Sequence, residues 1–156
     1  MALDENSYGT VLQVAALTPL YATVSNSFST TTRPTLSQVE TFIDQVSATL
    51  NLLLAAQGFA IPVTQADAAR ALAGFVVLEV VSLVEYANGA GPFIVEASQL
   101  RAATPSRIIL KDAEAFIASH AVGFEALGVT RTRSLAFGLD AEGVTPIWDK
   151  IGRAHV

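Results

Sequence analysis

The clearest pattern along the chain is a stripe of apolar residues at steps of three and four in residues 36–53. This stripe contains Leu36, Val39, Ile43, Val46, Leu50 and Leu53. The spacing predicts an amphipathic helix with one buried face. Thr35 lies three residues before Gln38, which is the spacing of an N-terminal capping box. Gln57 and Gly58 predict its end, since glycine adopts the left-handed conformation of a helix stop without steric cost.

A short helix and a second long helix are predicted on either side of this one. The short helix follows Ser7, its candidate N-cap, and stops at Pro19. The second long helix covers residues 65–87, with Thr64 and Asp67 at its start. Two apolar rows run along this helix. One contains Leu72, Val76, Val80, Leu83 and Ala87, and the other contains Phe75, Leu78 and Val81. A helix that is apolar on most sides must be covered on more than one, so the second row supplies the candidates for contact with another subunit.

The third long helix is predicted from Pro105, with Ser106 as its candidate N-cap, to a stop at Gly128. Its apolar face contains Ile109, Ala113, Phe116, His120, Phe124 and Leu127. His120 is therefore predicted to be a hydrogen-bonded histidine of the core or of an interface. It is not predicted to be a metal ligand, because no second histidine lies at metal-ligand spacing.

Helical periodicity is lost after residue 128. Residues 135–139 and 144–148 form two short extended stretches around a predicted turn. The predicted fold class is therefore mainly α. A small bundle of three long helices and a short N-terminal helix occupies residues 1–128, and an extended C-terminal arm or β-hairpin occupies residues 129–150.

Composition bears on whether such a bundle enters a membrane or belongs to an assembly. Hydrophobic residues make up 51% of the chain and charged residues 15%, and the mean hydropathy of +0.46 is high for a chain that stays outside membranes. A transmembrane helix needs about 20 mostly apolar residues. The uncharged stretch of residues 45–66 contains several polar residues and a proline, and Arg70, Glu79 and Glu85 interrupt the apolar stretch that follows it. We therefore expect the chain to bury this apolar surface as a subunit of an assembly, with no membrane partner.

Charge is unevenly distributed along the chain. The net charge is -5, which argues against sequence-independent binding to nucleic acid. Arg70 is the only cation in residues 35–100, whereas seven basic residues roughly balance six acidic ones from residue 101 onward. An acidic front and an arginine-bearing back can complement each other between identical subunits. The open alternative is solvated charge without a partner.

Residue types with catalytic potential are not arranged as a site. The segment around Gly89 and Gly91 lacks the lysine and the spacing of a phosphate-binding loop. Asp112 and Glu114 lie on different sides of their helix, and Glu40 with Asp44 is typical of a solvated face. We therefore predict no catalytic residues, no metal, no cofactor and no enzymatic activity. The lack of cysteine is consistent with a cytoplasmic origin.

Two segments resemble a known family. Residues 30–64, TTTRPTLSQVETFIDQVSATLNLLLAAQGFAIPVT, are preceded by a loop rich in serine and threonine and by YGTVLQVAAL at residues 8–17. Together they resemble the small head-tail connector, or adaptor, proteins of tailed bacteriophages. The sequence resemblance is specific over residues 8–17 and 33–63, and the resemblance in the order of helices and loops extends over residues 7–127. No catalytic motif is available to transfer, because the family is structural.

This resemblance implies a structural protein of the virion neck, assembled in the cytoplasm of the bacterial host. It implies a ring of about twelve copies that joins the portal to the tail and surrounds the DNA channel. The implied partners are further copies of the chain, the portal protein and a tail-side neck or stopper protein, with DNA only in transit. The C-terminal segment would reach the portal or a neighbouring subunit. Its composition selects these contact candidates: Arg131, Arg133, Phe137, Ile147 and Trp148.

Two alternatives from other functional classes remain open. One is a helical ligand-binding or regulatory module with an apolar pocket along the second long helix. The other, which the residues favour less, is a small enzyme that uses Glu79, Glu85 or His120.

The last six residues, 151–156, carry a separate resemblance. Their sequence, IGRAHV, is similar to the translation of a widely used sequencing adapter in one reading frame, in which the next codon is a stop. We therefore predict that these residues are adapter read-through and do not belong to the natural protein.

Overall fold

A computed structural model describes residues 3–23, 25–90 and 105–131. It contains four helices: α1 (Val11–Leu17), α2 (Leu36–Ala56), α3 (Ala66–Ala87) and α4 (Pro105–Ala126). Of the described residues, 63% are helical and none lies in a β-strand. The predicted mainly α bundle of three long helices and a short N-terminal one is confirmed. The predicted C-terminal arm or hairpin lies outside the described residues from position 132 onward.

Helix α2 begins as its sequence predicts. The Thr35 hydroxyl accepts from the Gln38 backbone N–H, and the Gln38 side chain accepts from the Thr35 backbone N–H at 2.9 Å. This reciprocal pair satisfies two backbone donors that have no partner within the helix. At the other end Gly58 has a φ of +84°, which ends the helix in the left-handed conformation.

The start of α1 differs from the prediction. Its N-cap is Thr10, which forms a capping box with Gln13, and Ser7 is not a cap. The Ser7 hydroxyl instead donates to Oδ1 of Asp44 in α2 at 2.7 Å. Both residues have the hydroxyl that an N-cap requires, so a contact distant in sequence decided between them.

The starts of α3 and α4 also differ in detail. The N-cap of α3 is Gln65, which makes no side-chain capping hydrogen bond, so Thr64 does not cap this helix. Ser106 lies inside α4, which already includes Pro105. A proline fits the first helical position because its fixed φ suits the helix and its missing N–H has no intrahelical partner there.

The α2–α3 pair forms the centre of the bundle. Helix α1 packs on both members of the pair, and α4 packs on both as well, while α1 and α4 make no contact with each other within the described residues. The two outer helices therefore cover different sides of the α2–α3 pair. The largest fully buried side chains are Ile43, Leu50, Leu54, Leu72 and Ile117.

The carboxyl ends of α2 and α4 lie together. The ring of Phe59, just after α2, meets the ring of Phe124 edge-on at 6.0 Å, and the Ala60 N–H donates to the Thr130 carbonyl at 2.8 Å. Helices α2 and α4 therefore run in the same direction. Val129 is buried, so residues 129–131 pack on the bundle.

Tyr8 anchors the segment before α1 to the rest of the bundle. Its backbone N–H donates to the buried hydroxyl of Ser47, and its phenol donates to Oδ1 of Asn51 at 2.8 Å. The same phenol oxygen accepts from the Val63 N–H at 2.9 Å. One side chain thus ties together the N-terminal segment, α2 and the α2–α3 connection.

We expect Tyr8 to make the protein less stable above pH 10. Burial raises the pKa of Tyr8 above its usual value of 10, although the Val63 hydrogen bond acts in the opposite direction. Its neutral form therefore stabilises the fold fully below pH 10, and this contribution is lost as the pH rises through the higher folded-state pKa. Tyr8→Phe should cost about 1–2 kcal/mol at pH 7 and should remove this alkaline loss, as measured by urea unfolding from pH 7 to 11.

Tyr21→Phe is the matched control for this experiment. Tyr21 is half-buried, and its phenol makes no hydrogen bond to the described residues. Tyr21→Phe should leave the stability at pH 7 unchanged, because it removes no hydrogen bond to the described residues. An alkaline loss that persists in Tyr8→Phe would assign the titration to another group.

Candidate assembly surfaces

A groove with an acidic end and an apolar end lies between the N-terminal segment and α2. It has a volume of about 430 Å³ and is lined by Asp4, Asn6, Ser7, Asp44, Ala48, Asn51, Leu52 and Ile61. We call this the acidic groove. Two of its eight lining side chains are carboxylates and none is a cation.

Asp44 and Asn51 build this groove by holding the N-terminal segment along α2. Oδ1 of Asp44 accepts from the Asp4 backbone N–H at 3.1 Å, besides the Ser7 hydroxyl. The Asn51 amide donates to the Asn6 carbonyl at 3.1 Å. Asp44 was predicted to belong to a solvated face with Glu40, but it has this structural role. The sequence carried no signal for it, because its partners lie 37 or more residues away.

The apolar end of the acidic groove is open to solvent. The Leu52 side chain is 68% exposed and that of Ile61 is 46% exposed. Fully burying a leucine or isoleucine side chain contributes about 1.5–3 kcal/mol. This end of the groove therefore suits an apolar partner surface.

The outer face of α4 has the complementary composition. Four exposed residues share one side of the helix, because they are spaced at steps of four, seven and four. They are Arg107, Lys111, Ala118 and Val122. We use the term α4 outer face for these four residues. Val122 is 80% exposed. The face thus begins with two cations, continues through the exposed carboxylate of Glu114, which lies between Lys111 and Ala118 on the same side, and ends with apolar side chains.

Helix α1 exposes a third apolar surface. Leu12 and Leu17 are more than half exposed, and Leu20, just after the helix, is 89% exposed. Helix α1 is short and buries Val14 and Ala15 against the bundle. Large aliphatic side chains are therefore uncovered on the α1 side as well as on the α4 side.

The three predicted subunit-contact residues of α3 differ in exposure. Leu78 is 61% exposed, whereas Phe75 and Val81 are half-buried and pack against the core of their own chain. The Phe75 ring lies 4.7 Å from the ring of Phe116 in α4. Helix α4 thus covers part of the second apolar row, and Leu78 is the member that stays most available to another subunit.

An aromatic cluster joins α3, α4 and the end of α2, and sequence reasoning did not find it. Phe116 lies between Phe75 and His120, with ring separations of 4.7 and 4.3 Å. Phe124 lies 6.3 Å from both Phe116 and His120, and 6.0 Å from Phe59. Periodicity placed Phe116 and Phe124 on one face of α4, but gave no signal that Phe59 and Phe75 meet them.

His120 was predicted to belong to the core or to an interface, and because it is exposed the core alternative is wrong. Its ring stacks on Phe116, and its Nδ1 lies 2.8 Å from the Phe116 carbonyl oxygen. Ile117, which the predicted face omitted, is fully buried instead. The buried side of α4 is therefore rotated away from His120 towards Ile117.

Arg131 makes its described contacts within its own chain. Its Nε donates to the Gln57 carbonyl at the end of α2 at 3.0 Å, and its Nη1 lies 2.6 Å from Oε1 of Glu125. The guanidinium also lies over the Phe59 ring, 5.3 Å from its centre. Arg131 thus holds the residues after α4 against α2. The other tail contact candidates, Arg133, Phe137, Ile147 and Trp148, lie outside the described residues.

A second groove, of about 470 Å³, lies at the loop before α2 and is lined by residues 30–35 with Gln38, Phe42 and Ala87. Ala87 is the one member of the main apolar row of α3 that lines either of these two grooves, because Leu72, Val76 and Val80 are fully buried in the bundle. Those three residues therefore pack the core and do not line either groove.

The described residues contain no group of three or more histidine, cysteine or acidic side chains that could hold a metal ion. The carboxylates Asp112 and Glu114, which the sequence placed on different sides of α4, are half-buried and exposed, respectively. None of the helices in the described ranges has the length and hydropathy needed to cross a membrane.

Comparisons of the chain with protein-family models, with curated proteins and with solved structures find no match.

Proposed function

We propose that this chain is a structural protein of the bacteriophage neck, without catalytic activity, that forms an oligomeric ring joining the portal to the tail. Its partners are further copies of itself, the portal protein and a tail-side neck or stopper protein. DNA passes through the channel of the ring without being a sequence-specific ligand.

The observation that carries this proposal is the exposure of large aliphatic side chains on different sides of one small bundle. Leu12, Leu17 and Leu20 lie on the α1 side, and Val122 lies on α4, which makes no contact with α1 within the described residues. A subunit in a ring uses two different surfaces, one for each neighbour. A chain with uncovered apolar side chains on both sides meets that requirement.

The resemblance of residues 8–17 and 33–63 to connector proteins directs the proposal to the phage neck. Two structural features are compatible with it. The segments that carry the resemblance form α1, α2 and the connection after α2. The exposed apolar and charged side chains can contact other proteins, and the described ranges contain no clustered metal site.

Electron microscopy of the full chain, alone and mixed with its cognate portal protein, tests the proposal. We expect rings coaxial with the portal, while the portal alone, as the control, shows no added density at its tail-side end. A chain that stays monomeric and never joins the portal would refute the proposal.

A further inference from the structure

We propose that the acidic groove of one copy takes the α4 outer face of the next copy, so that Asp4 and Asp44 meet Arg107 and Lys111. The inference rests on the proposed function, because it specifies which surfaces join neighbouring subunits of the ring. It commits to a second copy of this chain as the occupant of the groove.

Charge complementarity is the first argument. Asp4 and Asp44 line one end of the groove. Arg107 and Lys111 are exposed, and neither forms a salt bridge with any of the described residues. Opposite charges arranged in this way steer association and fix the register of an interface.

The order of chemistry along the helices is the second argument. Along α2 the groove changes from acidic at Asp44 to apolar at Leu52, eight residues or about 12 Å further on. Along α4 the outer face carries two cations, Arg107 and Lys111, against one carboxylate, Glu114, and becomes apolar at Val122, eleven residues or about 16 Å beyond Lys111. Because α2 and α4 run in the same direction, both patterns have the same orientation.

That shared orientation suits neighbouring copies that are related by rotation about an axis parallel to the helices of the bundle. Such a rotation keeps helix directions unchanged from one copy to the next, so charged ends meet charged ends and Leu52 meets Ala118 or Val122. The two surfaces cannot satisfy each other within one copy, since the groove lies along the N-terminal segment and α4 covers a different side of the α2–α3 pair. The contact is therefore heterologous, the type that generates rings.

Site-specific crosslinking provides a direct test because the chain contains no cysteine. One preparation carries Asp4→Cys and the other Lys111→Cys, and each is treated with a short bis-maleimide alone and after mixing. We expect covalent dimers in the mixture and at most a trace in either variant alone. Equal crosslinking of Asp4→Cys with itself would indicate a two-fold contact at the groove and would overturn the inference.

Charge exchange provides the second test. R107E/K111E and D4K/E5K should each weaken self-association at least tenfold at low salt, as measured by analytical ultracentrifugation. Mixing the two variants should restore association. The acidic α4 outer face of R107E/K111E then meets the basic groove of D4K/E5K, and the unaltered surfaces of the two variants also have opposite charge. R33E/R70E is the control: it alters the charge by the same amount as R107E/K111E, away from both surfaces, and should associate like the unaltered chain. Asp44 is left unchanged because it holds Ser7.

The outcomes separate this inference from the ring itself. If rings form, alone or on the portal, and neither crosslinking nor charge exchange behaves as described, the inference is wrong and the proposed function stands. If the free chain is monomeric, both tests are made on the portal-bound ring. If no ring forms in either setting, the proposed function fails and this contact fails with it.

Discussion

Leu50→Ala is expected to destabilise the protein by about 3–4 kcal/mol. Leu50 is fully buried in α2, which together with α3 forms the centre of the bundle and contacts the other three helices. The substitution removes apolar atoms from the core and leaves a cavity that the surrounding helices fill only in part, and both effects reduce stability. Urea unfolding followed by circular dichroism measures the loss as a lower midpoint.

Leu52→Ala is the matched control, since it makes the same chemical change two residues further along α2. Its side chain is 68% exposed, so we expect a change within about 0.5 kcal/mol. The same variant should weaken association of copies, because Leu52 lines the acidic groove. Equal destabilisation by both variants would contradict the assignment of Leu50 to the core and Leu52 to the surface.

Gly9→Ala is expected to cost about 2–3 kcal/mol, from two effects that add. Gly9 has a φ of +84°, a conformation that costs a residue with a Cβ about 1–2 kcal/mol. A Cβ at this position would also lie 3.0 Å from Cγ2 of Val77 and 3.5 Å from the Ala73 carbonyl. Position 9 connects the Tyr8 anchor to α1, so relief of this crowding would require α1 to move away from α3. Thermal and urea unfolding measure the loss.

Gly89→Ala separates the two effects. Gly89 has a φ of +74°, but a Cβ there meets none of the described residues within 4 Å. The variant should therefore cost only the conformational part, about 1 kcal/mol. If Gly9→Ala costs no more than Gly89→Ala, the close approach of the N-terminal segment to α3 is not a source of strain.

The long helices were predictable because their signals are local. In α2 the capping residue, the glycine stop and the apolar stripe all lie within 24 residues, and each acts on the backbone of its own helix. Val39, Ile43, Val46 and Leu50 are buried as the stripe predicts. At the end of the stripe Leu54 is fully buried and Leu53 half-buried, a shift that depends on how neighbouring helices pack.

The candidate surfaces were only partly predictable. The separation of an acidic front from a mixed, arginine-bearing back was visible in the order of charges. The groove itself was not visible, because it exists only where the Asp44 carboxylate and the Asn51 amide hold residues 4–7 along α2. Hydrogen bonds across about 40 residues leave no periodic trace in a sequence.

The sequence by itself determined the helical class and the extent of the long helices, because periodicity and capping act locally. Only the tertiary structure decided that Thr10 caps α1, that His120 is exposed while Ile117 is buried, and that Arg131 contacts α2. The physical reason is common to all three. Each position was acceptable in more than one role, and packing against residues distant in sequence selected one.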